Sequence, residues 1–315
     1  MKWSLYWMWV ALCGAIGCSG SADEDTRLST GDITDPMEEP PISDSQPDTG
    51  MPSDPYTPIT PPVGVSPLDL PTPTEPCPVF AEGDITVLGK QVRLWMDPDA
   101  ASLGPGPLVF YWHATGSQPG EAVLNFTPVI EEVVALGGVV AAFYREDCPD
   151  CVVSSGTPVW YFEDLPRADE VVACAIEQVG IDPSRIHVAG TSAGGLHTAH
   201  MLYQRSNYVA SVATYSGGIL PNTDTTMLDP TNLIPAMVLY GDQGDFLAGA
   251  STGFVKDLGS KGHFSVQCEH DSGHGIAADM ATTVWRFFDY HRYGATSPSV
   301  WEKNLPPDLP DICTR

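Results

Sequence analysis

The sequence predicts an α/β protein with a mainly parallel central sheet and helices on both faces. Short apolar segments alternate with helix-like segments between residues 84 and 291, which is the pattern of such a sheet. The pentapeptide GTSAG at 190–194 separates an apolar run from a helix-like run. A GxSxG sequence in that position is typical of a sharp strand-to-helix turn that exposes a serine oxygen at the end of a strand.

Each strand is predicted from a short apolar run that ends at turn residues. In chain order the predicted strands lie at 85–96, 107–113, 138–144, 181–190, 209–216, 236–241 and 263–269. The predicted helices lie near 121–136 and 166–179, directly after the pentapeptide, and near 246–259 and 276–291. A long irregular loop is expected at 145–164. In such a sheet the ligand binds beyond the carboxyl ends of the strands, where the pentapeptide lies.

The N-terminus is typical of an export signal. Residues 1–18 contain one lysine, an apolar run too short to remain as a membrane span, and small residues before Cys18. The stretch at 15–18 resembles the bacterial lipoprotein box, which implies lipidation of Cys18. Ser19 after the cysteine then favours the outer membrane. Ordinary signal cleavage near Ala22, which gives a secreted protein, is the alternative.

Composition divides the rest of the chain into two parts. Residues 19–76 hold 13 prolines and 12 acidic residues against the single basic Arg27, so they are predicted to form an extended, disordered tether. An acidic interaction tail is the alternative. Residues 77–315 are long enough for one catalytic domain. The net charge of −26 argues against binding to nucleic acid or to anionic lipid headgroups.

Six cysteines follow Cys18, and an even number in an exported chain predicts disulfides. They are Cys77, Cys148, Cys151, Cys174, Cys268 and Cys313. Cys77 and Cys313 bracket the domain and could join its ends, while Cys148 and Cys151 could close a small loop. A redox or zinc site at these last two cysteines is a minor alternative, because a second CxxC is missing from the sequence.

The pentapeptide indicates nucleophilic catalysis by Ser192. A serine hydroxyl needs a neighbouring base, usually a histidine that a carboxylate orients. Where the serine lies on such a turn, the acid and then the histidine follow it along the chain. Asp242 and Asp245 follow the strand at 236–241, and His270 and His274 follow the strand at 263–269.

Five segments resemble a family of secreted esterases that includes polyhydroxybutyrate depolymerases and feruloyl esterases. They lie at 107–116, 158–164, 182–195, 240–245 and 268–275, and the similarity covers residues 80–292. The resemblance implies an α/β-hydrolase fold and the hydrolysis of feruloyl, acetyl or hydroxyalkanoate esters without a cofactor. It also implies that Ser192 is the nucleophile, Asp245 the acid and His274 the base. Asp242 is the alternative acid, and His270 is expected to be a surface or supporting residue.

The same resemblance implies an oxyanion hole and a substrate contact. The amide after the nucleophile, that of Ala193, is one expected donor, and the amide of Thr115 is the other. Ala114 stands where the family has a glycine. Trp160 lies in the long loop, where we expect an exposed ring that stacks on the substrate. His197 and His200 could suggest a metal pair, but packing is the favoured interpretation and no metal is expected.

The sequence therefore predicts a serine esterase that acts outside the cytoplasm on a small or polymeric ester, with a membrane contact only through the lipid anchor. A serine peptidase or an acyltransferase of the same fold is one alternative. A catalytically inactive surface-binding protein is another, because a fold alone does not establish a function.

Overall fold

The structure is a computed structural model that describes residues 66–242, 244–277, 280–294 and 299–315. The predicted signal segment, Cys18, Ala22 and the predicted tether before residue 66 lie outside these residues. Within the described ranges, no helix is both long enough and apolar enough to cross a membrane.

Nine strands of the described residues form one sheet. They are β1 (Gly83–Val87), β2 (Lys90–Met96), β3 (Leu108–Trp112), β4 (Val139–Phe143), β5 (Ile186–Thr191), β6 (Ser211–Tyr215), β7 (Ala236–Gly241), β8 (Ser265–His270) and β9 (Cys313–Thr314). Their spatial order is β1-β2-β4-β3-β5-β6-β7-β8-β9. The strands from β4 to β8 pair in parallel, whereas β1, β2 and β9 pair antiparallel. The predicted α/β class with a mainly parallel sheet is confirmed, and β9 is an addition that is too short to carry a sequence pattern.

The helices lie on both faces of the sheet. They are α1 (Ala100–Leu103), α2 (Gly120–Asn125), α3 (Thr127–Ala135), α4 (Asp164–Gln178), α5 (Ala193–Gln204), α6 (Ala248–Ser260), α7 (Met280–Tyr290) and α8 (Val300–Lys303). The single helix predicted at 121–136 is wrong, because α2 and α3 are separated at Phe126, whose φ is −137°. Pro128 lies in the first turn of α3. In a continuous helix its ring would clash with the carbonyl group of Leu124.

Two apolar layers cover the two faces of the sheet. Alternate residues of β3 belong to different layers, with Phe110 in one and Val109 in the other. Side chains of α4, α5 and α6 pack in the first layer, and side chains of α3 and α7 pack in the second. Every residue of β3 to β7 is buried, as expected for strands covered on both sides.

Residues 66–76, which the composition assigns to the tether, contact the folded domain in the structure. Leu68 and Leu70 pack against the first apolar layer. The Glu170 carboxylate of α4 accepts hydrogen bonds from the Thr74 amide and hydroxyl and from the Glu75 amide. This part of the segment therefore has both apolar and polar anchors, which a composition-based boundary does not detect.

The six cysteines form three disulfides, Cys77–Cys174, Cys148–Cys151 and Cys268–Cys313. The small loop predicted for Cys148 and Cys151 is confirmed, and these residues are therefore not a zinc site in this structure. The link considered between Cys77 and Cys313 does not form, because both residues pair elsewhere. Cys77 packs in the layer of α4, while Cys313 lies in β9 and packs in the other layer, so the sheet separates them.

Candidate active site

Ser192 lies at the turn between β5 and α5, with a φ of 55° and a ψ of −116°. A serine rarely adopts this backbone conformation, and such strain is common at catalytic turns. Two glycines make the turn possible because other residues would not fit. A Cβ on Gly190 would collide with the backbone of Gly194, and a Cβ on Gly194 would collide with the carbonyl oxygen of Trp112.

Ser192, His274 and Asp245 form one chain of hydrogen bonds. The distance from Ser192 Oγ to His274 Nε2 is 2.9 Å, and that from His274 Nδ1 to Asp245 Oδ1 is 2.7 Å. An ionised carboxylate only accepts hydrogen bonds, so Nδ1 is the donor to Asp245. This leaves Nε2 to accept the serine hydroxyl, which is the tautomer that a general base requires.

The Asp245 side chain is buried, and its carboxylate accepts hydrogen bonds from two backbone amides as well as from His274. The Leu247 amide donates to Oδ1 at 2.8 Å, and the Gly241 amide donates to Oδ2 at 3.0 Å. Burial raises the pKa of this carboxyl, but the hydrogen bonds from His274, Leu247 and Gly241 more than offset it, so the pKa lies below its usual value of 3.8. Asp245 is therefore ionised near neutral pH.

The structure does not bring the alternative residues Asp242 and His270 into this chain. Asp242 is exposed, and its carboxylate accepts the Gly244 amide at 3.1 Å. His270 is buried at the end of β8, where its Nδ1 accepts the Ser272 amide at 3.3 Å. His270 was expected to be a surface or supporting residue, and its buried position excludes the surface role.

The turn that carries His274 is held by contacts with the ends of β7 and β6. Gly241 pairs with His270 in the register of β7 and β8, and a Cβ on Gly241 would collide with the carbonyl group of Gly273. The Ser216 hydroxyl donates to the Gly275 carbonyl at 2.9 Å and accepts the Gly275 amide at 3.1 Å. Ser216 thus fixes the turn that carries His274, and sequence reasoning missed it because it lies in no recognisable motif.

A cavity of about 650 Å³ opens at Ser192. Both residues expected to supply the oxyanion donors, Ala193 and Thr115, line it. The loop that contains Thr115 turns tightly, since the Ser117 amide donates to the Ala114 carbonyl at 3.1 Å. The Thr115 hydroxyl lies 3.2 Å from the Thr157 hydroxyl across the cavity mouth.

The remaining wall of the cavity is apolar or weakly polar. Its large apolar members are Leu196, Leu220, Phe246 and Leu247. Apart from His274, the described residues of this wall carry no ionisable side chain. Phe246 is 76% exposed, and its ring centroid lies 3.9 Å from that of His274. Sequence reasoning missed Phe246, although its position directly after Asp245 was a usable signal.

The prediction that Trp160 presents an exposed ring to the substrate is wrong. Trp160 is completely buried, and its indole Nε1 donates to the His113 carbonyl at 2.9 Å. The loop that carries it folds back on itself, because the Ser154 amide donates to the Trp160 carbonyl and the Trp160 amide donates to Ser155 Oγ. These contacts turn the ring into the core, where it packs edge-on against Trp112.

His197 and His200 do not form a metal site in the described residues. The ring of His197 is buried, with Nδ1 2.6 Å from the Ser154 hydroxyl, and burial lowers its pKa to about 3. The His200 ring packs edge-on against Phe162. Across the described ranges, no cluster of three or more potential histidine, cysteine or carboxylate ligands is found.

Comparisons with known proteins agree with this geometry at the level of the fold. No protein-family model matches the sequence. NocK of Nocardia uniformis subsp. tsuyamanensis, a protein named as an esterase, is 28% identical over 203 residues, which are 56% of this chain and 57% of NocK. The chain therefore matches little more than half of the length of this relative.

Two solved structures resemble the described chain more extensively. The crystal structure of native sOPH has a TM-score of 0.60 at 14% identity and covers 78% of this chain and 96% of its own. The crystal structure of native pOPH has a TM-score of 0.54 at 16% identity and covers 78% of this chain and 96% of the pOPH chain. Together with the parallel sheet and the serine turn after β5, these similarities identify the architecture: the chain has the α/β-hydrolase fold.

Proposed function

We propose that this chain is a serine carboxylic-ester hydrolase that works through an acyl-enzyme intermediate. The observation that carries the proposal is the hydrogen-bond chain from Ser192 through His274 to the buried Asp245. The similarity to NocK supports the same activity. In this proposal Ser192 is the nucleophile, His274 the general base and Asp245 the residue that orients it.

The reaction follows from the protonation states at the three side chains. His274 Nε2 removes the proton from Ser192 Oγ as the oxygen attacks the ester carbonyl. The imidazolium that forms is stabilised by the Asp245 carboxylate and then donates its proton to the departing alcohol. A water molecule, activated by the same His274, attacks the acyl-enzyme and releases the acid, which restores Ser192.

The negative oxygen of each tetrahedral intermediate requires donors that are fixed in advance. We assign this role to the amides of Ala193 and Thr115. Ala193 is the first residue of α5, where an amide has no acceptor within its own helix. Thr115 reaches the same cavity from the loop after β3.

The chemistry of the cavity favours an uncharged ester. The wall offers Leu196, Leu220 and Phe246 for an apolar group and hydroxyls such as Thr157 for a polar one. Burial of a charged group against such a wall would be costly. The net charge of −26 further disfavours anionic substrates. Feruloyl, acetyl and hydroxyalkanoate esters, the substrates of the family that the sequence resembles, all meet this requirement.

We further propose that the enzyme acts outside the cytoplasm, either as an outer-membrane lipoprotein anchored through Cys18 or as a secreted protein. The three disulfides support export, because such bonds persist in oxidising compartments. Metabolic labelling with a fatty-acid analogue, compared with a Cys18→Ala variant, tests the lipid anchor.

The function is tested by the substitution Ser192→Ala. The purified protein should hydrolyse p-nitrophenyl acetate or butyrate and should react with a fluorophosphonate probe, and the variant should do neither. Retained turnover in the variant would exclude the mechanism, and failure of the native protein to label would indicate an inactive binding protein. Faster turnover of peptide anilides than of esters, or acyl transfer to an added alcohol in preference to water, would instead indicate a peptidase or an acyltransferase.

A further inference from the structure

A carboxylate on α2 contacts the backbone of the loop that carries Thr115. This loop, residues 113–117, is called the oxyanion loop below. Glu121 Oε1 accepts the Ala114 amide at 3.1 Å, and Oε2 lies 3.3 Å from the same nitrogen. Ala114 directly precedes Thr115, so Glu121 holds the peptide group next to the one that supplies the proposed oxyanion donor.

The same carboxylate oxygen is connected to the nucleophile turn. Glu121 Oε1 also accepts the Tyr111 hydroxyl at 3.0 Å, and the Tyr111 oxygen lies 3.0 Å from the Thr191 hydroxyl. Thr191 directly precedes Ser192. Burial and the neighbouring carboxylate raise the pKa of Tyr111 well above its usual value, so its hydroxyl keeps its proton and remains a donor.

We propose that Glu121 is a positioning residue that fixes the oxyanion loop relative to Ser192. The inference rests on the proposed esterase function, because it assigns Glu121 to the same active site. One carboxylate oxygen receives hydrogen bonds from the loop on one side and from Tyr111 on the other. The separation between the Thr115 amide and the nucleophile therefore depends on the reach of the Glu121 side chain.

Backbone geometry explains why this contact matters for catalysis. Only φ and ψ of Ala114 separate the held peptide from the peptide that contains the Thr115 amide. The loop has a second anchor on its other side, since Trp160 Nε1 donates to the His113 carbonyl at 2.9 Å. If the Ala114 amide loses its acceptor, the peptide group between His113 and Ala114 can pivot about the remaining anchor at the His113 carbonyl. The Ala114 carbonyl, which shares its peptide group with the Thr115 amide, is held from within the loop: it accepts the Ser117 amide at 3.1 Å and lies 2.9 Å from His113 Nδ1. This part of the loop would therefore shift as a unit and carry the Thr115 amide away from the developing oxyanion. An oxyanion donor contributes only when it is fixed before the reaction.

Two substitutions separate the reach of the side chain from its charge. Glu121→Gln keeps an oxygen at the Oε1 position, which can still accept both the Ala114 amide and the Tyr111 hydroxyl. Its NH₂ group takes the Oε2 position, so only the longer contact with the Ala114 nitrogen, at 3.3 Å, is lost. Glu121→Asp keeps the charge but withdraws it by one methylene group, which is beyond hydrogen-bond distance of Ala114. We expect the Gln variant to retain at least about a third of the native kcat for p-nitrophenyl acetate. We expect the Asp variant to lose about tenfold or more in kcat with little change in KM, because misplaced donors weaken transition-state binding.

A transition-state analogue provides the readout that a purely structural role would not change. A trifluoromethyl ketone forms an adduct with Ser192 that places a negative oxygen in the oxyanion hole. Its inhibition constant should rise in the Asp variant by the factor by which kcat/KM falls, while both variants unfold within a few degrees of the native protein. Glu131→Asp, an exposed position on the neighbouring α3, is the matched control and should behave like the native protein.

The outcomes separate this inference from the proposed function. If the native protein shows no turnover that depends on Ser192, the esterase proposal itself fails. If the native protein is active and Glu121→Asp keeps its full kcat, only the role of Glu121 is refuted. The role is also refuted if Glu121→Gln is the more impaired variant, since charge rather than reach would then be decisive.

Discussion

Replacement of Asp245 by asparagine tests the central hydrogen-bond chain of the site. The Oδ1 position receives two donors, His274 Nδ1 and the Leu247 amide, and the Oδ2 position receives the Gly241 amide. Asparagine has one oxygen and one NH₂ group for these three donors. If the oxygen takes the Oδ1 position, the NH₂ group faces the Gly241 amide and the imidazolium loses its counter-charge. If the amide is flipped, His274 is driven to the wrong tautomer.

Both orientations therefore reduce kcat, and we expect a loss of about 10⁴-fold, as for the same substitution in serine proteases. At least one buried donor also loses its acceptor, so the free energy of unfolding should fall by about 1–3 kcal/mol. Hydrolysis of p-nitrophenyl butyrate and urea unfolding measure the two effects. Asp242→Asn is the control. The Asp242 carboxylate is exposed, and the oxygen of an asparagine can still accept the Gly244 amide, so kcat should stay within about twofold of the native value. The reasoning is refuted if the control loses as much activity, or if Asp245→Asn keeps a tenth of it.

Three further changes should have distinct signatures. Phe246→Ala removes the exposed ring beside His274 and should raise KM for aryl and butyryl esters by about tenfold, while kcat for p-nitrophenyl acetate changes little. An unchanged KM would exclude a contact between this ring and the substrate. Glu170→Gln should lower Tm more at pH 7 than at acidic pH. Burial raises the pKa of the Glu170 carboxyl, but hydrogen bonds from Thr74 and Glu75 outweigh it and lower the pKa, so the stabilisation is fully present above the usual pKa of 4.5 and is lost as pH falls through the lowered value; an equal loss of Tm at neutral and acidic pH would contradict this. Removal of the Cys77–Cys174 disulfide, which closes a loop of 97 residues, should lower the free energy of unfolding by about 4–5 kcal/mol, whereas removal of Cys148–Cys151, with a separation of 3 residues, should lower it by less than about 2 kcal/mol. The opposite order of Tm values would exclude the explanation by loop entropy.

The sequence predicts the sheet and the strand-to-helix turn at Ser192 well because both depend on local patterns. Strands buried on both faces are continuous apolar runs, and each helix that covers them has its own periodicity. The strand-to-helix turn at Ser192 requires glycines at fixed spacing, and steric contact at Gly190 and Gly194 explains that requirement. The order of acid and histidine along the chain follows from the order of β7 and β8 in the sheet.

Other parts of the site depend on contacts between distant segments, which no local pattern reveals. The spacing after Gly241 allows either Asp242 or Asp245 to face the histidine. Three-dimensional contacts distinguish them, since Gly241 and Leu247 both donate to Asp245. Glu121 is similar: it lies near the start of α2 in sequence, and only the fold brings it between Ala114 and Tyr111. A composition-based reading assigns such a glutamate to the solvated face of a helix.

The contrast between the buried Trp160 and the exposed Phe246 has a physical explanation. A loop has no periodicity that tells which side chains it buries, so a large aromatic residue in a loop can be either exposed or in the core. Trp160 has an indole N–H that needs an acceptor when buried, and the His113 carbonyl supplies it, so full burial of the ring costs little. Phe246 directly follows Asp245 in the turn after β7. The Asp245 side chain is buried and contacts His274, whereas the Phe246 ring is 76% exposed beside the same histidine. The Phe246 ring is therefore apolar surface in the wall of the cavity, which a bound ester could cover.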